Sequence, residues 1–273
     1  MEFRTIVPIE KAPFQIDPLE EMLFVGSCFA DSIGRRFVED KFRATVNPFG
    51  VMYNPASVFH TIERCDMAPR TAVFTLGTNH VYRLKETSEI VDNCEKRPAR
   101  LFEEEELSID ACAYYLLRAV NVLRQRRPDV RVILTVSPIR YRKYGYHESQ
   151  LSKATLLLAI QQVLSASPLH ASSISYFPAY EIMMDELRDY RFYADDMLHP
   201  SSQAVEYIWQ RFSEMFFSER TRQFLEAWRP IKAALGHKPF NPDSYEYQAF
   251  LADAHAKEAA LIKAYTETIT QNQ

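Results

Sequence analysis

Short apolar runs alternate with amphipathic stretches along the chain, and each run stops at or beside a glycine or a proline. Four such runs cover residues 20–26, 72–77, 130–136 and 174–178, with helical spacing of apolar residues between them at about 55–66, 108–127 and 149–165. Apolar runs of this length without polar alternation are typical of strands that are buried on both faces. Strands that alternate with helices predict an α/β protein, with three α/β/α layers around a parallel sheet of about five strands.

The remaining segments differ from this alternating pattern. The segment from about 80 to 107 resembles a small hairpin insertion, and three helical stretches follow His199, at about 201–217, 219–235 and 244–268. We therefore expect a body formed by residues 1–235 and a helical C-terminal extension formed by residues 236–273. The last helix carries an apolar stripe, which predicts packing on the body or a homodimer contact through this helix.

Charge and composition exclude several classes of protein. The formal net charge is −4, which gives no electrostatic reason to bind nucleic acid or an anionic membrane. No apolar run approaches the roughly 18 residues that a membrane helix needs. The first residues lack the pattern of a secretory signal, so we expect a cytoplasmic protein. The four cysteines form no CxxC pair and no pattern with metal-ligand spacing, which predicts free thiols and no metal site.

The segment Gly26-Ser27-Cys28 ends the first predicted strand and opens a helix. Ligands of open α/β sheets bind beyond the carboxyl ends of the strands, and a helix N-terminus favours an anion there. A thiolate in this position is a stabilised nucleophile, whereas a serine hydroxyl needs a base to activate it. The structural alternative is an N-cap serine followed by a small buried thiol.

A second candidate element is the Asp-x-x-His sequence of Asp196 and His199, followed by Pro200. One turn of chain allows the carboxylate to orient the imidazole through one ring nitrogen. The other nitrogen is then left to accept a proton from a nucleophile. The alternative is an aspartate at a helix start beside a solvated histidine.

Two further segments contain potential hydrogen-bond donors. They are Asn47-Pro48-Phe49-Gly50 and Gly77-Thr78-Asn79-His80. The backbone N–H of Gly50 and the side-chain amide of Asn79 could join the N–H of residue 28 as three donors to a developing oxyanion. Each segment taken alone is also typical of a turn.

The four segments together, in this order, resemble the four conserved blocks of the SGNH (GDSL-like) hydrolases. The string GSCFA at residues 26–30 is similar to the motif that names the GSCFA-domain family within that group. The resemblance covers roughly residues 3–220 and includes Tyr53-Asn54-Pro55, Val136-Ser137-Pro138 and Asp196-Met197-Leu198-His199-Pro200.

The resemblance implies a flavodoxin-type sheet and an esterase or acyl-transfer site without a metal or organic cofactor. An acylated carbohydrate or another small acyl ester is the substrate class that it implies. The nucleophile of the wider group stands two places after the glycine, which favours Cys28 over Ser27. His199 would act as general base and acid, with Asp196 orienting it. Further candidates for substrate binding are Asn47, His80, Arg140 and Lys153.

Some positions depart from the family pattern. The chain has Glu95 and Tyr141 where the resemblance leads us to expect histidines, and residues 65–70 form a shorter connection than in the family. These changes favour an alternative function, a catalytically silent binding or assembly module that retains the fold. A transferase that moves the acyl group to an acceptor would use the same residues as a hydrolase.

Overall fold

The architecture follows from a central sheet whose apolar residues alternate between two faces. The computed structural model describes residues 3–92, 94, 97–166 and 172–271. Its strands are β1 (Glu21–Gly26), β2 (Arg43–Val46), β3 (Thr71–Leu76), β4 (His80–Leu84), β5 (Ile90–Val91), β6 (Phe102–Glu106), β7 (Arg131–Val136) and β8 (Ile174–Tyr176). The five strands β2-β1-β3-β7-β8 form a parallel sheet in that order. The predicted α/β class and the five-stranded parallel sheet are confirmed.

Helices cover both faces of this sheet. They are α1 (Cys28–Glu39), α2 (Pro55–Arg64), α3 (Ile109–Arg126), α4 (Tyr146–Ala166), α5 (Ala179–Glu181, continuing as a π-helix over Ile182–Leu187), α6 (Ser202–Phe216), α7 (Glu219–Leu235) and α8 (Tyr245–Gln271). Short 3-10 turns cover Ala99–Leu101, Arg142–Tyr144 and Tyr190–Phe192.

The side chains of β1 show how the layers are built. Leu23 and Val25 pack into a core with α2, α3 and α4, whereas Met22 and Phe24 pack into a second core with α1, α5 and α6. Strand β1 is thus apolar on both faces, which explains its unbroken apolar run in the sequence.

The segment between β3 and α3 forms a small separate sheet. Strand β4 pairs antiparallel with both β5 and β6, as expected for an inserted hairpin. The C-terminal helix α8 packs on α7, where Leu261, Ile262 and Tyr265 contact a cluster that includes Trp228 and Ile231. This contact within the chain is one of the two roles that the apolar stripe predicted.

Candidate active site

The turn after β1 requires a glycine. Gly26 has φ +148°, and a Cβ atom added there would lie 2.2 Å from the carbonyl oxygen of Thr75 on the neighbouring strand. The same carbonyl accepts the N–H of Ser27 at 2.9 Å. A left-handed conformation pressed against a strand is one that a side chain cannot adopt without displacing its neighbour. The turn directs the chain into α1, whose first residue is Cys28.

Ser27 is sealed inside the molecule. Its side chain caps α1 by accepting the N–H of Phe29 at 3.2 Å, and its Oγ donates to the Oγ of Ser137 at 2.9 Å and lies 3.1 Å from the Oγ1 of Thr75. Only 1% of the residue is exposed. Ser27 is therefore the N-cap of α1, as the structural alternative predicted. That alternative also predicted a buried thiol, but Cys28 is partly exposed.

Cys28 opens into a cavity of about 370 Å³ at the carboxyl ends of the strands. We call it the active-site cavity, and its walls include Cys28, Tyr53, Arg140, Tyr141, Lys143 and His199. The phenol oxygen of Tyr53 lies 3.7 Å from the Cys28 Sγ. Burial, and then the neighbouring thiol, raise the pKa of Tyr53. The phenol thus stays protonated and is able to donate a hydrogen bond to a thiolate.

Asp196 holds His199 in a defined orientation. The Oδ2 of Asp196 lies 2.5 Å from the Nδ1 of His199, and its Oδ1 accepts the N–H groups of His199 at 2.9 Å and of Leu198 at 2.8 Å. These hydrogen bonds, with the backbone N–H of His199 foremost, lower the pKa of Asp196 to about 2. The carboxylate is therefore charged across the physiological range, and Nε2 of His199 remains for proton transfer.

The loop that carries this pair is closed on itself and tied to the sheet. Tyr193 and Pro200 form an isolated bridge at its base. Arg140, which follows β7, donates its backbone N–H to the carbonyl of Leu198 at 3.0 Å and its Nη1 to that of Met197 at 3.2 Å. The predicted substrate-binding residue Arg140 thus lines the cavity and also positions the loop.

The two predicted oxyanion donors are engaged elsewhere. The N–H of Gly50 donates to the carbonyl of Asn47 at 2.9 Å in a tight turn, and the buried amide of Asn79 donates to the carbonyl of Leu107 at 2.9 Å. Neither residue lines the active-site cavity. The structure therefore does not support these two donors in this conformation. The backbone N–H of Cys28, in the first turn of α1, is the donor of the predicted set that remains at the cavity.

The side chain of Asn47 stabilises the turn after β1 and does not line the active-site cavity. Its Oδ1 accepts the N–H of Gly26 at 2.9 Å, and its Nδ2 donates to Asp31 at 2.7 Å. Both ends of the side chain are used to hold the start of α1. Asn47 is thus placed as a positioning residue for Cys28 and makes no direct contact with the cavity.

His80 and Lys153 lie behind the active-site cavity. The ring of His80 stacks on Tyr144 with centroids 3.8 Å apart, and burial lowers the pKa of His80. The Nζ of Lys153 donates to the carbonyls of Gly77 at 2.7 Å and Ser137 at 2.9 Å. Burial lowers the pKa of Lys153 to about 7. Lys153 thus joins the ends of two neighbouring strands and does not reach the active-site cavity.

The cavity wall also contains residues that the sequence did not predict as site residues, among them Tyr53, Tyr141 and Lys143. Tyr53 belongs to the string Tyr53-Asn54-Pro55, whose resemblance to the family was its available signal. Tyr141, one of the departures from the family, lines the cavity with its ring 6.0 Å from that of Tyr53. Lys143 reaches the wall while bound to Glu104 at 2.7 Å, and no sequence pattern marks it. Glu95, the other departure, lies outside the described residues.

The described residues contain neither a cluster of metal ligands nor a membrane-spanning helix. Within residues 3–92, 94, 97–166 and 172–271, no group of three or more His, Cys, Asp or Glu side chains is placed to hold a metal ion. In the same part of the chain, no helix has the length and apolar character needed to cross a membrane.

The fold and this site define a class. A parallel α/β/α sandwich with a cysteine at the start of the helix after its first strand, and an Asp-x-x-His loop before a late helix, resembles the arrangement of SGNH (GDSL-like) hydrolases. Comparison with protein families then identifies the particular one. The GSCFA family matches residues 21–71 and 66–212, and the C-terminal domain of GSCFA domain proteins matches residues 228–271. The chain belongs to the GSCFA family.

Solved structures of one lipase and two esterases are similar to the chain at low sequence identity. A GDSL-like lipase from Bacteroides thetaiotaomicron is 13% identical, with 71% of this chain and 86% of that chain covered and a TM-score of 0.47. A carbohydrate esterase of family 3 from Talaromyces cellulolyticus is 12% identical, with coverages of 76% and 99% and a TM-score of 0.42. A mutant acetyl-xylooligosaccharide esterase from a Geobacillus species is 11% identical, with coverages of 74% and 96% and a TM-score of 0.49. No curated protein matches the chain.

Proposed function

We propose that the protein is an acyl-transfer enzyme that cleaves a small acyl ester, such as an acylated carbohydrate, through a covalent thioester on Cys28. One observation carries this proposal. A partly exposed cysteine at the first position of a helix and a histidine oriented by a carboxylate line the same cavity. This combination supplies a nucleophile, a base and an orienting group.

The first half-reaction forms the thioester. The Sγ of Cys28 attacks the ester carbonyl carbon as Nε2 of His199 takes the thiol proton, and the carbonyl π electrons move onto the oxygen. The N–H of Cys28 and the phenol of Tyr53 are the donors nearest to that oxyanion. When the intermediate collapses, the C–O bond breaks, and His199 returns the proton to the departing alcohol.

The second half-reaction releases the acyl group. His199 removes a proton from a water molecule, which attacks the thioester carbonyl. The C–S bond then breaks, and His199 returns the proton to the departing sulfur, which regenerates the Cys28 thiol and releases a carboxylic acid. An alcohol acceptor in place of water would give acyl transfer with the same residues. Product analysis in the presence of a sugar acceptor separates the two reactions.

In the structure, the thiol lies within hydrogen-bonding distance of Tyr53, and among the described residues no hydrogen bond joins it to His199. Catalytic hydrogen bonds are often long in ligand-free enzymes and shorten in the substrate complex. The mechanism therefore requires that the Sγ of Cys28 and the Nε2 of His199 come into hydrogen-bonding contact when substrate binds.

An acyl-trapping experiment tests the nucleophile. The wild type is incubated with p-nitrophenyl acetate, quenched in acid and digested, and the acetylated residue is located by mass spectrometry. We expect the acetyl group on Cys28, its loss in Cys28→Ala, and its retention in Ser27→Ala. Acetylation that follows Ser27 instead would contradict the assignment.

A silent binding module is the second candidate function. It is favoured by the engaged N–H groups of Gly50 and Asn79 and by Tyr141 at a position where a histidine was expected. This candidate predicts no acetylated Cys28 in the trapping experiment, even with a reactive ester.

A further inference from the structure

A second cavity lies next to the active-site cavity. It has a volume of about 300 Å³ and lies between the segment after β7, the start of α4 and the π-helical part of α5. We call it the side cavity. Ile139 and Arg140 line both cavities, so the two are neighbours across these side chains. A substrate that occupies both cavities would place its carbonyl at Cys28 and extend past Arg140.

Most of the wall of the side cavity is apolar or aromatic. Met183 and Met184 come from the π-helix, and the rings of Tyr146, Tyr180 and Tyr193 complete the wall. The phenol of Tyr193 donates to the Sδ of Met184 at 3.6 Å, and a thioether is a weak acceptor. Methionine and tyrosine side chains of this kind adapt to the body of a small organic ligand.

The charged groups of this wall are mainly cations. Arg140, Lys153 and Arg188 line the cavity, together with the single carboxylate of Asp189. The Oδ1 of Asp189 accepts the N–H of Arg191 at 2.9 Å, and Arg188 pairs with Asp185 at 3.6 Å. The amine of Lys153 is used by two backbone carbonyls and Arg188 is used by Asp185, which leaves Arg140 as the cation of this wall that favours a negatively charged ligand.

Arg140 is the cation best placed to bind that charge. Its guanidinium stacks on Tyr146, 4.4 Å from the ring centroid, and lies 5.3 Å from that of Tyr193. Within the described part of the chain it forms no ion pair, and the hydrogen bond from its Nη1 to Met197 leaves most of its N–H groups free. A flat guanidinium held by aromatic rings is preorganised for a carboxylate.

We propose that the side cavity binds a carboxylate-bearing aromatic or aliphatic group of the substrate, with the carboxylate on Arg140 and the apolar body between the methionine and tyrosine side chains. The assignment to the substrate rests on the proposed function, because it places the reacting carbonyl at Cys28. The substrate class is then an acyl ester, acylated carbohydrates included, that also carries a free carboxylate, and we expect slower cleavage of the same ester without the carboxylate.

Calorimetric titration tests this site with two probes of the same shape. Phenylacetate carries the charge and phenylacetamide is its neutral counterpart. We expect phenylacetate to bind the wild-type protein about tenfold more tightly, because a charge-assisted hydrogen bond replaces a neutral one. Added salt should reduce this preference. Equal affinity for the two probes, or the absence of saturable binding, would overturn the proposal.

Three variants locate the binding. Arg140→Met should abolish the preference for phenylacetate, whereas Arg35→Met should preserve it, because Arg35 is exposed and does not line the cavity. Met184→Trp should fill the side cavity and weaken the binding of both probes. This variant tests whether the probes bind in the side cavity even if Arg140→Met does not fold. An unchanged preference in Arg140→Met, or unchanged affinities in Met184→Trp, would contradict the assignment.

A fourth variant separates this inference from the proposed function. Cys28→Ala should bind phenylacetate like the wild type, because Cys28 lines the other cavity. Loss of phenylacetate binding in Cys28→Ala would place the probe in the active-site cavity and overturn the side-cavity assignment. A failed acyl-trapping experiment with intact phenylacetate binding would overturn the thioester mechanism alone.

Discussion

Gly26 places Cys28 at the cavity, and its backbone leaves no room for a side chain. The φ of +148° and the approach to the Thr75 carbonyl act together at this residue. Gly145 also has a positive φ, of +88°, but nothing lies within 4 Å of an added Cβ there. Comparison of substitutions at the two glycines therefore distinguishes the cost of an unfavourable φ from the cost of a steric clash.

We expect Gly26→Ala to lower the free energy of unfolding by roughly 3 kcal/mol or more, because it adds a clash with backbone to an unfavourable φ. Gly145→Ala should cost about 1 kcal/mol, since it has only the unfavourable φ. Urea unfolding of the two variants and the wild type checks this difference. Equal losses would show that contact with Thr75 has no role.

The ends of β3 and β7 are linked by an element from another layer. Lys153 on α4 donates to carbonyls that follow both strands, and Ser137, one of the two residues, also accepts a hydrogen bond from Ser27. A neutral amine still has two N–H hydrogens, which match the two carbonyls. The neutral amine of Lys153 can therefore form both hydrogen bonds that link the two strand ends.

This buried amine predicts a pH dependence of stability. The pKa of Lys153 is lowered to about 7 in the folded chain by burial, whereas an unfolded chain has the ordinary value of about 10.4. Between these values the unfolded chain binds more protons, so this group makes stability increase as pH rises. Below the folded pKa, the cost of the buried charge is fully present.

We expect the free energy of unfolding of the wild type, relative to Lys153→Met, to increase by roughly 2–3 kcal/mol from about pH 6 to about pH 9. Lys85→Met, at an exposed position, should retain the wild-type pH profile. Denaturant unfolding at several pH values measures the effect. Parallel profiles for wild type and Lys153→Met would contradict the account.

The sequence predicted four strands of the main sheet from their apolar runs and did not predict the fifth, β2. Strands β1, β3 and β7 are buried on both faces, so their residues form unbroken runs. Strand β2 has only four residues at the edge of the sheet, and Arg43 is exposed, so it has no such run. Its existence depends on pairing with β1, which sequence periodicity does not report.

Within the candidate site, Cys28 was predicted from its place at the end of a strand, and His199 from the Asp-x-x-His sequence. The structure places both residues in the wall of one cavity, and their catalytic roles stay predictions. Gly50 was predicted as an oxyanion donor, but its N–H donates to the carbonyl of Asn47. Spacing in the sequence does not show which acceptor a backbone N–H group finds. Lys153 has the same limitation, since one of its two carbonyl partners, that of Gly77, lies 76 residues away in sequence.

At the scale of the whole molecule, α8 covers an apolar face of α7. Leu261, Ile262 and Tyr265 contact the cluster of Phe224, Trp228 and Ile231, and Arg220 donates to the carbonyl of Tyr265 at 2.7 Å. The predicted division at residue 235 falls at the end of α7. A homodimer through α8 stays a prediction, and Phe250, which is 43% exposed, is an apolar residue available for it.

Removal of α8 tests both roles of this helix. A chain that ends at Leu235 exposes the apolar face of α7, so we expect its midpoint of thermal unfolding to fall. Light scattering of the full chain and of the full-length variant Phe250→Glu tests the dimer without this exposure. A dimer mass that Phe250→Glu reduces to a monomer would support the contact, and a monomeric wild type would contradict it.

Cys28 is proposed to be a nucleophile that His199 activates, and the rate of alkylation measures the reactivity of its thiol. Each cysteine is followed by mass spectrometry as it reacts with iodoacetamide across the range from acid to alkaline pH, in wild type and in His199→Ala. Cys94 is the matched comparison, because it too is partly exposed, whereas Cys65 and Cys112 are buried. Burial raises the pKa of Cys94 and raises that of Cys112 to about 12, which slows both thiols near neutral pH.

We expect Cys28 to react much faster than Cys94 near neutral pH, and to lose this advantage in His199→Ala. Unfolding in urea should bring all four rates together, which shows that the advantage comes from the fold. A Cys28 that reacts no faster than Cys94 in the folded wild type, or that is unaffected by His199→Ala, would contradict the account.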